Sequence, residues 1–190
     1  MILLLLGLGN VGQKYQHTRH NVGFDVLHQI ATKFTNKAVE TCDEYHKAEI
    51  VVGDTNITLA LPTQQMNNSG YAATALLHRY SLTPSEMLVV VDDFNLSLGA
   101  IRIRKSGSDG GHNGLASIIE QLGTDQFPRL RLGIGPLPDN CSVVDFVLGE
   151  FEKDEQKIVD EMIITASEAA LSVITDGVDE AIKKYNKNPA

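Results

Sequence analysis

Apolar residues fill positions 1–6 without a break, and a run that short, closed by Gly7, predicts a strand buried on both faces of a sheet. Residues 48–52 and 57–61 flank Gly53-Asp54-Thr55-Asn56 and predict a β-hairpin, closed by Pro62. Residues 87–91 form another buried run, which ends in Asp92-Asp93. Residues 100–105 alternate apolar and basic side chains, and 129–134 place Arg129 and Arg131 opposite Leu130 and Leu132, so each predicts a strand. The apolar stretch 143–148 reads as the last strand. Helical spacing appears between these runs. Asn21 is a plausible N-cap for a helix burying Val26, Leu27, Ile30, Ala31 and Phe34. Ala72, Ala73, Leu76, Leu77 and Tyr80 share one helical face, as do Leu115, Ile118, Ile119 and Leu122. A long amphipathic helix covers 153–174, and a short one covers 179–185.

Strand then helix, repeated, with a hairpin inserted, predicts an α/β fold. We expect a single-domain three-layer αβα architecture with a mixed, mostly parallel twisted sheet. One domain spans 1–190, with C-terminal helices at about 153–186 packed on it. A chain of 190 residues is long enough for a sizeable core. No apolar run approaches membrane-spanning length and no charged, cleavable leader precedes the first strand, so a cytoplasmic location is expected. Cys42 and Cys141 stand alone, which suits a reducing compartment and offers neither a disulfide framework nor a zinc site. The net charge of −8 argues against a nucleic-acid partner until its distribution is considered. Residues 139–190 carry 12 acidic and 5 basic side chains, whereas 1–138 carry 12 and 11. The acidity belongs to the C-terminal segment and leaves room for a basic face elsewhere.

Gly7-Leu8-Gly9-Asn10-Val11-Gly12 has the literal spacing of a dinucleotide-binding loop. Its context is wrong. That motif requires a helix opening at the glycines and an acidic residue about 20 positions further on. Here residues 13–20 lack apolar helical period, and Thr32-Lys33 stand where the acid is needed.

Four apolar-to-loop junctions instead deliver one kind of chemistry: Asn10; Asn67 and Asn68; Asp92 and Asp93; His112 and Asn113. His20 joins them. An imidazole oriented by a carboxylate is a usable base at neutral pH, and carboxamides hold an amide or an oxyanion without bringing in charge. No serine or cysteine is placed as a nucleophile, so water is the implied one. Each residue also has a plain structural reading. A histidine after a glycine turn is commonly a hydrogen bonder, the asparagines are good helix caps, and Asp92-Asp93 suits a turn or a Mg²⁺ site. Arg102, Arg104, Lys105, Arg129 and Arg131 suit a solvated face. The convergence of the loops on one chemistry favours a site.

The first of these blocks, with Tyr15 and Thr18-Arg19-His20-Asn21-Val22-Gly23-Phe24, resembles the N-terminal signature of the bacterial-type peptidyl-tRNA hydrolase family. Met66-Asn67-Asn68-Ser69-Gly70, Asp92-Asp93 with Arg102-Ile103-Arg104, the loop 107–115 and the strand 129–135 resemble its later blocks, in order. The resemblance implies hydrolysis of the ester joining a peptide to the 3′ ribose of tRNA, which returns both to translation, with no cofactor and no metal. It implies that His20 activates water, that Asp92 supports it, and that Asn10 senses the first peptide bond. Tyr15, Gln65, Asn67 and Asn113 would bind the acyl and terminal-nucleotide end, and Arg104 and Arg131 the 5′ phosphate of the tRNA. The partner implied is peptidyl-tRNA alone, met by a monomer. Val11 replaces the family's usual proline, and Gln65 its usual aromatic.

Overall fold

The computed structural model describes residues 1–34 and 39–186. Its seven strands are β1 (Leu4–Gly7), β2 (Glu40–Thr41), β3 (Tyr45–Val52), β4 (Thr55–Pro62), β5 (Met87–Ser97), β6 (Ile101–Arg104) and β7 (Arg129–Gly135). The helices are α1 (Val22–Phe34), α2 (Ser69–Tyr80), α3 (Asn113–Leu122), α4 (Val143–Leu148), α5 (Gln156–Thr175) and α6 (Val178–Tyr185). The sheet order is β2-β3-β4-β1-β5-β7-β6. β1 sits near the centre, and its side chains serve both faces: Leu4 and Leu6 pack with Leu76 and Ile118, Leu5 with Val26 and Ala166. This is the three-layer α/β architecture that the pattern implies.

Parallel pairing is confined to the centre, where β1 lies between β4 and β5, and β5 beside β7. The β2–β3, β3–β4 and β6–β7 pairs are antiparallel, so the sheet is mixed in equal parts rather than mostly parallel. The hairpin and the returning β6 account for the difference.

Three expectations change. Val143–Leu148 is helix α4, not a strand, because Ser142 Oγ accepts the Asp145 N–H and caps it. It could not pair with β7, the strand before it, which is already flanked by β5 and β6. β5 does not stop at Val91 but runs through Asp92 and Asp93 to Ser97. Asn21 does not cap α1; its carboxamide clasps Asn10 instead, accepting from the Asn10 N–H at 2.8 Å and donating to the Asn10 carbonyl at 3.0 Å.

Gly7 and Gly23 serve packing. A Cβ on Gly7 would lie 2.6 Å from the Gly23 carbonyl oxygen, and one on Gly23 would lie 2.5 Å from those of Leu8 and Val90. The start of α1 therefore presses directly on β1 and β5. Two single turns of 3-10 helix, Gln13–Tyr15 and Arg19–Asn21, separate the glycines from α1 in the chain, so α1 does not open at them. The geometry of a dinucleotide loop is absent from this segment.

Candidate active site

The central parallel strands end on one edge of the sheet, and the polar residues that follow them meet there. The turn after β1 supplies Asn10 and His20, β5 supplies Asp92, and the loop before α3 supplies His112. All four are buried. His20 Nδ1 lies 2.9 and 3.0 Å from the two Asp92 oxygens, and His112 Nε2 lies 3.0 Å from Oδ1. The two imidazole rings are 4.7 Å apart at their centroids.

Hydrogen bonding assigns the tautomers. His112 is the N-cap of α3, and its Nδ1 accepts the N–H groups of Gly114 and Leu115 at 3.1 and 3.2 Å. The proton of that ring is therefore on Nε2, which donates it to Asp92. A carboxylate can only accept, so His20 Nδ1 also donates to Asp92, and in the neutral ring the lone pair is on Nε2. Among the described residues Nε2 has no partner, and His20 lines a cleft of about 370 Å³. Burial alone would push the Asp92 carboxyl up, but the two imidazoles outweigh it and hold the group well below the usual carboxylate range. A carboxylate ionised at neutral pH thus orients the other ring nitrogen of His20, which faces the cleft.

His20, Asp92 and His112 are also the one set among the described residues close enough to share a cation. Their donor chemistry opposes it. Metal ligation needs a lone pair on His112 Nε2, and that position is protonated as long as Nδ1 caps α3.

Asn10 is held at every atom but one. Asn21 clasps its backbone, and its Oδ1 accepts the Met66 N–H at 2.8 Å. Nδ2 is the one polar atom left without a partner, so Asn10 meets a ligand first as a donor. Asn67 and Asn113 line the same cleft, are exposed, and cap nothing: the α2 cap has no side-chain bond and the α3 cap is His112. Their carboxamides are unspent. Tyr15 and Gln65 stand at the same wall. Phe94, Val143, Val144, Val147 and Leu148 supply the apolar side of the cleft.

Seven of the nine site residues expected from the sequence therefore share one cleft. Arg104 and Arg131 do not line it. Arg104 is exposed on β6, and Arg131 forms an ion pair with Asp93. Arg129, expected on a solvated face, is buried; its guanidinium stacks on Phe127 and donates to the carbonyls of Gly107, Ser108 and Asp125. It ties down the glycine-rich loop that presents His112 and Asn113. The sequence motifs assign no individual role to His112, although a histidine directly before a helix, with no Ser, Thr or Asp to cap it, is a signal. The apolar wall is invisible in the sequence as long as 143–148 reads as a strand.

The family model described as peptidyl-tRNA hydrolase matches residues 4–190. The chain belongs to this family. It is 44% identical to a peptidyl-tRNA hydrolase of Elusimicrobium minutum over 98% of its own length and 100% of the relative's. With that of Chlorobaculum parvum the identity is 41%, covering 98% and 99%. The crystal structure of peptidyl-tRNA hydrolase from Acinetobacter baumannii superposes with a TM-score of 0.90 at 32% identity, covering 97% of this chain and 94% of that one. The family's match extends through α5 and α6, the acidic segment on which the sequence motifs are silent.

Proposed function

We propose that the protein hydrolyses the ester of peptidyl-tRNA with His20 as the base that activates water. The observation that carries this reading is the free Nε2 of His20, fixed by Asp92 and open to the cleft. Water oxygen attacks the ester carbonyl carbon while Nε2 takes its proton. The carbonyl electrons move onto oxygen, and the carboxamides of Asn67 and Asn113 are at hand to donate to that oxyanion. The tetrahedral species collapses by breaking the bond to the ribose oxygen, and the imidazolium returns its proton to that leaving alkoxide. Asp92 stabilises the imidazolium between the two transfers. An alkoxide leaves more readily than an amine, so the step needs no covalent nucleophile.

Asn10 accounts for selectivity. Its one free atom is a donor, so it bonds the carbonyl of an N-blocked aminoacyl group and repels the ammonium of a free one. Asn10→Asp keeps the acceptor for Met66 and turns the donor into an acceptor. The ratio of kcat/KM for N-acetyl-aminoacyl-tRNA over aminoacyl-tRNA is expected to fall by at least about tenfold, the scale of one lost polar pairing. An unchanged ratio would remove Asn10 from the recognition of the acyl group.

No helix among the described residues is long and apolar enough to cross a membrane. The tRNA is met in solution by a monomer in this reading, with Arg104 and Arg131 at its 5′ phosphate. Arg131 already has Asp93 as counterion and reaches phosphate by exchanging it, whereas Arg104 needs no such exchange. Arg104→Ala is therefore expected to reduce the salt slope of tRNA binding by about 1, and Arg131→Ala by less. Binding measured across a salt series checks this, and an unchanged slope in both variants would move the phosphate elsewhere.

A further inference from the structure

The residue before His20 makes a separate set of contacts, one to β7, where its Nη1 donates to the Ile134 carbonyl at 3.4 Å, and the others to one distant segment. The Arg19 guanidinium lies against two rings, 4.7 Å from the Phe146 centroid and 4.6 Å from that of Phe151. Its Nη2 donates to Glu155 Oε2 at 2.6 Å, and Nη1 reaches Oε1 at 3.3 Å, the two-pronged fit of guanidinium to carboxylate. The main chain follows the same path: Arg19 N–H donates to the Gly149 carbonyl at 2.9 Å, and Thr18 bridges to Glu150. Phe146 belongs to α4, whose Val143, Val144, Val147 and Leu148 form the apolar side of the cleft. Arg19 itself lies outside the cleft and is buried, while Glu155 is partly exposed just before α5.

We infer that Arg19 and Glu155 are positioning residues that latch the α4 wall to the turn carrying His20 and so set the width of the cleft. A six-residue helix is too short to hold its own place. Phe146 and Val147 pack into the core, and Phe146 also meets the guanidinium that Phe151 and Glu155 hold. Lysine at position 19 would keep the charge but lose both the fork and the planar stacking, so the exchange is not conservative here. At neutral pH the latch is closed. Burial would raise the Glu155 carboxyl, yet the bonds from Arg19 and from the Glu152 N–H hold it below its usual range.

Glu155→Gln tests this without touching the cleft, because glutamine keeps one acceptor oxygen and the shape of the side chain. Its KM for N-acetyl-aminoacyl-tRNA is expected to rise about five- to tenfold with kcat within about twofold, since the base is untouched and only ground-state fit is lost. Arg19→Lys is expected to raise KM further. The double variant should be no worse than Arg19→Lys alone, because the two share one interaction. Amide hydrogen exchange of 143–151 should accelerate in both variants while that of β5 does not. The KM arm rests on the peptidyl-tRNA reading and the exchange arm does not, so an inactive wild type would refute that reading and leave the latch to be judged by exchange. A folded Glu155→Gln protein with a lower Tm but unchanged KM and unchanged exchange over 143–151 would make the pair a plain structural bridge. A fall in kcat at constant KM would place its action on His20 and also overturn the latch. Should Arg19→Lys fail to fold, Glu155→Gln alone decides.

Discussion

His20→Ala is expected to lower kcat on N-acetyl-aminoacyl-tRNA by about 10²–10⁴-fold, the range for removing a general base, while tRNA binding stays within about twofold. The reason is geometric. His20 gives one nitrogen to Asp92 and offers the other to the cleft, so its removal takes away the proton acceptor and little else. Alanine leaves a gap beside Asp92, but His112 still donates to that carboxylate, and the turn is held by Arg19 and by the Asn21 clasp. Single-turnover cleavage and equilibrium tRNA binding, measured on one preparation, check this. Equal losses of turnover and affinity would make His20 a structural residue.

Asp92→Asn is the second large effect. Two imidazole N–H groups converge on this carboxylate, and a carboxamide offers them one oxygen while turning an NH₂ towards the other. His20 is then free to flip its proton to Nε2, the nitrogen that must be a base. A loss in kcat on the order of 10³–10⁴ is expected, the scale for a catalytic imidazole in the wrong tautomer. Stability should fall as well, by about 1–3 kcal/mol for a buried donor left unpaired. The sign of its pH dependence follows from the depressed folded pKa. The carboxylate contributes fully above the ordinary aspartate range and loses its contribution as pH falls through the folded value. Denaturant unfolding should therefore show the full wild-type-to-variant gap at pH 7 and a shrinking gap below about pH 4. A gap independent of pH would mean that Asp92 is not the ionised partner of the two histidines.

Much of this site is legible in the amino-acid sequence. Buried parallel strands must end on one edge of a sheet, so polar residues directly after 1–6 and 87–91 have to be neighbours. That rule brings Asn10 and Asp92 together, and His20 joins them through the turn that the Asn21 clasp folds back onto Asn10. Asn67 and Asn113 follow because they open helices on the same face. The departures have physical causes. Five apolar residues and Asp145 at 143–148 carry too little periodicity to tell helix from strand, and only the Ser142 cap decides it. Asn21 has the local propensity of a helix cap, yet a tertiary bond to Asn10 outcompetes it. Arg129 and Arg131 alternate as a solvated face should, but burial depends on what covers the strand, and the loop 107–112 covers Arg129. His112 escapes a sequence pattern because its role joins a local cap to a contact 20 residues away.

Water activated by His20 cleaves the acyl ester in this mechanism, and nothing else in the proposal stands without that step. The most direct test is one turnover of the wild-type enzyme on N-acetyl-aminoacyl-tRNA in H₂¹⁸O, with the intact mass of the protein read midway. One ¹⁸O is expected in the carboxylate of each released acyl group, none in the tRNA, and no acylated enzyme at any time. An uncleaved ester, or an enzyme that carries the acyl group before release, would contradict the mechanism.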